Sequence, residues 1–183
     1  IGTIYQCSFF QVKILGDSYG CTINNKIKKT PELVLFGNSH AQMYGWSIKE
    51  KLIELNKQGL SIPLNHCLPF PDLNHDEKCL KKSRIYFDNI INDNNIKVVV
   101  IGFTWQFEKL IDISGNLIED FDYKYRKNSI NKLIKSLKKN NKTGYLIGPI
   151  ATPEKQYLFP SRFIREIAYN KKITQETYSS REK

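Results

Sequence analysis

Between residues 32 and 150 the chain alternates short apolar runs with segments whose apolar side chains recur every three or four positions. Glu32 to Phe36 (ELVLF) is a compact apolar run closed by Gly37-Asn38-Ser39-His40. From Ala41 onward Tyr44, Ile48, Leu52 and Leu55 share one helical stripe. The pattern predicts strand, tight turn, helix. Gly59 is expected to close that helix, and Leu60 to Leu64 reads as a second strand, in which Pro63 argues for an edge position or an early end. After a Pro-rich loop, CLPFPDLNHDEKC, an amphipathic helix is expected over Lys81 to Ile91, broken by Asn92 to Asn95. Lys97 to Phe103 (KVVVIGF) is a continuous β-branched run, as in a strand buried on both faces. Ile111 to Asp122 carries a Ser114-Gly115-Asn116 turn and predicts a small hairpin. A helix over Asn128 to Lys139 and a strand over Thr143 to Ile150, ending in Gly148-Pro149, complete the series.

The order β-α-β-α-β-α-β predicts an α/β fold, a three-layer αβα sandwich on a mostly parallel sheet. Ligand sites in such folds lie outside the carboxyl ends of the strands. Three loops reach that edge: Gly37 to His40, Asn65 to Cys67, and Gly102 to Trp105. The sequence shows no internal repeat, and the polar tail after Lys171 is expected to fray.

The length, 183 residues, suits one domain over 1–183. The longest apolar run, Val98 to Phe103, is far short of the roughly 20 residues that span a bilayer. Residue 1 is Ile and no secretory leader follows it, so the chain reads as a piece of a longer product, with any targeting signal elsewhere. A net charge of +10 raises the question of nucleic acid. The lysines, however, are spread along the whole chain, and Lys132, Lys135, Lys138 and Lys139 lie opposite the Ile130, Leu133, Ile134, Leu137 stripe. That is a solvated helix face, and no nucleic-acid partner is expected.

The four cysteines change the picture more. Cys7, Cys21, Cys67 and Cys79 form two sequence-local pairs, neither with the C-x-x-C spacing of a zinc knuckle or redox site. Disulfides Cys7-Cys21 and Cys67-Cys79 are the simplest of three connectivities, and they imply an oxidising compartment. A competing reading of the second pair is a metal site of His66, Cys67, His75 and Cys79. Its spacings are irregular, and adjacent residues seldom share one tetrahedral ion. We expect no metal and no cofactor.

Ser39 stands between a strand end and the first turn of a helix. There its Oγ is exposed at the carboxyl edge, and backbone N–H groups can receive a developing oxyanion. The alternative is that Ser39 only caps the helix. The run LVLFGNSHAQMYGW resembles the first block of the SGNH hydrolases, in the G-D-S-H-A form of the periplasmic SGNH domains fused to membrane-bound acyltransferase-3 proteins, which O-acetylate bacterial surface sugars such as lipopolysaccharide O-antigen. Further features fit: the early Cys pair, Cys67-Leu68-Pro69, the closing Cys79, the VVVIGFTW strand ending at Trp105, and Gly148-Pro149. The resemblance runs from Cys7 to about Pro153.

What the resemblance implies is specific. The fold is SGNH/flavodoxin-like, and Ser39 matches the nucleophile of an O-acetyltransferase or esterase. Gly37, Asn38, His40, Thr104 and Trp105 surround it as oxyanion or supporting residues. Asn38 replaces the usual Asp, a tolerable change if that side chain chiefly orders the turn. Thr104 or the Trp105 indole replaces the family's usual oxyanion Asn, although Trp105 also suits a sugar-facing wall or plain core. His40 reads as a supporting rather than a catalytic residue. The family's base sits in a C-terminal D-x-x-H block, whereas no histidine follows His75 here; Asp72-Leu73-Asn74-His75 is such a string in the wrong place. We expect the true block to lie beyond Lys183, so that 1–183 alone lacks its base. The partners implied are a membrane acyltransferase domain that supplies the acyl group and a glycan acceptor. The location implied is periplasmic, tethered to the inner membrane through the rest of the full-length protein. A glycan or lipid esterase and a non-catalytic glycan-binding domain are the alternatives.

Overall fold

In a computed structural model, residues 7, 12–24, 26–104, 109–120 and 123–147 are described. All lie in Ile1–Pro149, the first of two units; the second, Ile150–Lys183, falls outside the described residues. Trp105, Gly148-Pro149, the tail after Lys171 and the reading of 1–183 as one domain therefore extend beyond them.

The elements are β1 (Val12–Leu15), β2 (Ser18–Ile23), β3 (Leu33–Asn38), α1 (Ser39–Gln42), α2 (Gly45–Glu54), β4 (Gly59–Asn65), β5 (Leu73–Asn74), α3 (Glu77–Asn92), β6 (Val98–Gly102), β7 (Lys109–Asp112), β8 (Leu117–Glu119), α4 (Lys124–Lys139) and β9 (Thr143–Leu146). Six strands form one mixed sheet in the order β1-β2-β4-β3-β6-β9. The pairs β4-β3, β3-β6 and β6-β9 are parallel, while the N-terminal hairpin β1-β2 joins antiparallel through β4. Each parallel step is bridged by helix, as parallel pairing requires.

The alternation of β3 and β6 explains the layers. Val34, Phe36, Val99 and Ile101 point into a core completed by Tyr86, Phe87 and Ile90 of α3 and Leu133 and Leu137 of α4. Leu35, with half-buried Val100, faces the other way, onto Ala41 of α1 and Ile48 and Leu52 of α2. Side chains such as Phe36 and Ile62 are fully buried, each worth about 1.5–3 kcal/mol of burial. The result is the three-layer αβα sandwich on a mostly parallel sheet.

Several expectations need correction. Pro63 marks neither an edge nor an early end, since β4 is interior and runs on to Asn65. The β2-β4 register ends at Cys21↔Ser61, so Pro63, with no N–H to give, lies past that ladder. Gly59 does not close the preceding helix. Asn56 takes the left-handed position (φ 52°), and Gly59 opens β4, where a Cβ would press Leu52 Cδ1 at 2.9 Å. The helix expected from Ala41 is two helices, α1 and α2.

The Ser114-Gly-Asn turn does join a hairpin, β7-β8, with Asp112 Oδ1 accepting from the Ser114 and Asn116 N–H groups. Two-residue β5 adds to it as a third strand. Helix α4 starts at Lys124, four residues earlier than the expected Asn128. There Asp120 accepts from the Tyr125 and Arg126 N–H groups and from Arg126 Nε at 3.0 Å, in a pair that is almost wholly buried.

Candidate active site

The chain runs from β3 sideways to β4, then back across to β6, so the strand order reverses between β3 and β6. That crevice is where doubly wound sheets place their ligands. Two segments open onto it: Asn38-Ser39 after β3 and Phe103-Thr104 after β6.

The β3 turn is built by close approach. Gly37 pairs with Gly102, and its φ of 146° suits only glycine; a Cβ there would lie 1.8 Å from the Gly102 carbonyl oxygen. A Cβ on Gly102 would lie 2.9 Å from Ala41 Cα. The two glycines thus let α1 start directly over the end of β6. Asn38 is the N-cap: buried, with extended backbone, it accepts from the His40 N–H at 3.1 Å through Oδ1. Ser39 is therefore the first helical residue and not the cap. It is half-exposed, and its Oγ makes no hydrogen bond among the described residues.

Among the described residues, buried polar atoms around this turn are left idle: Asn38 Nδ2, His40 Nδ1 and Gln42 Nε2 have no hydrogen-bond partner. Gln42, one helical turn after Ser39, accepts from Ser61 Oγ of β4 at 2.6 Å, which fixes α1 against the sheet. The only signal for Gln42 in the sequence is its spacing of three from Ser39. Burial pulls the His40 imidazole below its ordinary pKa, so it is neutral at pH 7.

Thr104 is half-buried just past β6, on the same edge as Ser39; Trp105 lies outside the described residues. Both disulfides are present, Cys7-Cys21 and Cys67-Cys79, with Cα separations of 5.5 and 5.1 Å. The Asp72-Leu73-Asn74-His75 string does not form an acid-base pair. Asp72 accepts from Lys132 Nζ at 2.8 Å, whereas His75 Nε2 lies 3.1 Å from Asp76 Oδ2. The disulfide removes both sulfurs of the four-residue metal reading.

A mostly parallel sheet with helices packed on both faces and a switch point between β3 and β6 defines an α/β sandwich domain. The chain belongs to the SGNH domain family, in the form described as fused to AT3 domains, whose family model matches residues 6–183. This membership points to acyl-transfer or esterase-type chemistry and to a membrane acyltransferase partner domain. No curated protein and no solved structure matches the chain. Among the described residues no helix is long and apolar enough to cross a membrane, and with two disulfides this fits an extracytoplasmic domain.

Proposed function

We propose that this domain carries out serine-dependent O-acyl transfer, of acetyl above all, to bacterial surface glycans such as lipopolysaccharide O-antigen, in the periplasm and beside a membrane acyltransferase domain. The observation that carries the reading is that Asn38 caps α1, which leaves the Ser39 hydroxyl uncommitted at the sheet's switch point. Ser39 Oγ attacks the acyl carbonyl carbon, the bond to the donor's leaving group breaks, and an acyl-Ser39 ester remains. The acceptor hydroxyl then attacks that ester and releases Ser39. The Ser39 backbone N–H at the helix start supplies one donor to the oxyanion, and the resemblance assigns a second to Thr104 or to the Trp105 indole. The resemblance assigns the base that takes the Ser39 proton to a D-x-x-H block; His40, neutral and beside the nucleophile, supports the turn.

With water as acceptor the same acyl-enzyme gives an esterase. The test supplies the full gene product with an activated acetyl ester, with and without O-antigen polysaccharide. Transfer predicts acetylated polysaccharide and a faster loss of ester when polysaccharide is added, both abolished in Ser39→Ala. Acetate release unaffected by polysaccharide would establish the esterase, and turnover retained in Ser39→Ala would refute the serine mechanism.

A further inference from the structure

We propose that His66, His75 and Asp76 form a binding site for one divalent cation of the zinc class, at the mouth of the Cys67-Cys79 loop. One ligand atom from each of these residues and from Cys79 lies within 4.8 Å of all the others. The Cys79 sulfur is spent in the disulfide and offers no thiolate. The donors are therefore two imidazoles and a carboxylate, a set that suits zinc and leaves a fourth position open to water.

The covalent frame explains why these residues meet. His66 adjoins Cys67, and His75 and Asp76 precede Cys79 by four and three residues, so the disulfide draws the two ends of the loop together. Their imidazoles lie with centroids 5.1 Å apart. Asp76 is oriented by its own cap: Oδ1 accepts from the Cys79 N–H at 2.6 Å, while Oδ2 lies 3.1 Å from His75 Nε2. With metal-ligand bonds of about 2.0–2.1 Å, neighbouring donors in a tetrahedral zinc site lie about 3.3 Å apart. His75 and Asp76 already hold that spacing. His66 is exposed and has room to turn its ring onto the ion.

The site shares the edge of the Ser39 turn, because Asn65, just before His66, pairs with Asn38. The inference stands apart from the role of Ser39, since metal binding is read without any acyl donor.

The test titrates the disulfide-intact protein, shown free of thiols, with Zn2+ alone by calorimetry. One saturable site is expected, with affinity weakened at least about tenfold in His66→Gln, His75→Gln and Asp76→Asn, and unchanged in His40→Gln. As a second readout, Zn2+ raises the unfolding midpoint of the wild type and not of His66→Gln, whose exposed position keeps folding out of the comparison. No saturable binding, unchanged affinity in His66→Gln, or loss of binding in His40→Gln would each overturn the proposal.

Discussion

Two buried asparagines, each the last residue of its strand, are treated in opposite ways. Asn74, in the Cys67-Cys79 loop, uses all of its amide. Oδ1 accepts from the Leu68 and His75 N–H groups, and Nδ2 donates to the Leu68 and Phe70 carbonyls and to Ser83 Oγ. Asn38, equally sequestered beside Ser39, uses only Oδ1 and leaves Nδ2 idle. An idle buried donor costs about 1–3 kcal/mol, and local rules of this kind are broken mainly at functional sites. One amide holds a loop together. The other orders a turn in which, among the described residues, Asn38 Nδ2, His40 Nδ1 and Gln42 Nε2 have no hydrogen-bond partner.

The sharpest way to break this contrast is at the glycine beneath the turn. Gly37→Ala places a methyl 1.8 Å from the Gly102 carbonyl oxygen at a φ few L-residues adopt. We expect a loss of more than about 4 kcal/mol in urea unfolding, or no folded protein at all. A mild effect would mean that β3 and β6 are not locked together under Ser39.

The same substitution at both asparagines sharpens it next. Asn74→Asp removes three donated hydrogen bonds and buries a charge, and we expect a cost of about 3 kcal/mol or more. Asn38→Asp buries a charge as well but keeps the cap acceptor and deletes only the idle N–H, so its cost should be smaller than that of Asn74→Asp by about the donated bonds lost at Asn74, roughly 1–3 kcal/mol. Equal losses in chemical denaturation would erase the distinction.

The smallest effect concerns His40. Burial depresses its folded-state pKa below the ordinary imidazole value of 6.5, so the unfolded chain binds the proton first as pH falls. Its contribution to stability is complete above pH 6.5 and is lost as pH drops through the folded value. Denaturation midpoints should fall over that window in the wild type and less in His40→Gln; parallel curves would show that His40 is not desolvated.

Strands β3 and β6 could be read directly, because a strand covered on both faces must be a continuous apolar run. The Ser39 turn could be read because strand, glycine, serine and helix follow one another locally. Other features depend on distant partners. The β1-β2 hairpin mixes exposed and buried positions over short strands, buries the small or polar Ser18 and Gly20, and turns at Gly16-Asp17, so no apolar run marks it. The start of α4 rests on the Asp120-Arg126 pair, which helical periodicity does not register. Which of Asn38 and Ser39 would cap the helix could not be read from residue types, since both are good caps.

That last distinction carries the account, and serine labelling tests it most directly. The full gene product is treated with a fluorophosphonate probe and its peptides are mapped. Ser39 is expected to bear the label. Ser39→Ala should abolish it while leaving stability within about 0.5 kcal/mol of wild type, as befits a hydroxyl with no structural bond to lose. A folded protein that takes no label, or one that labels equally in Ser39→Ala, would contradict the assignment of Ser39 as the nucleophile.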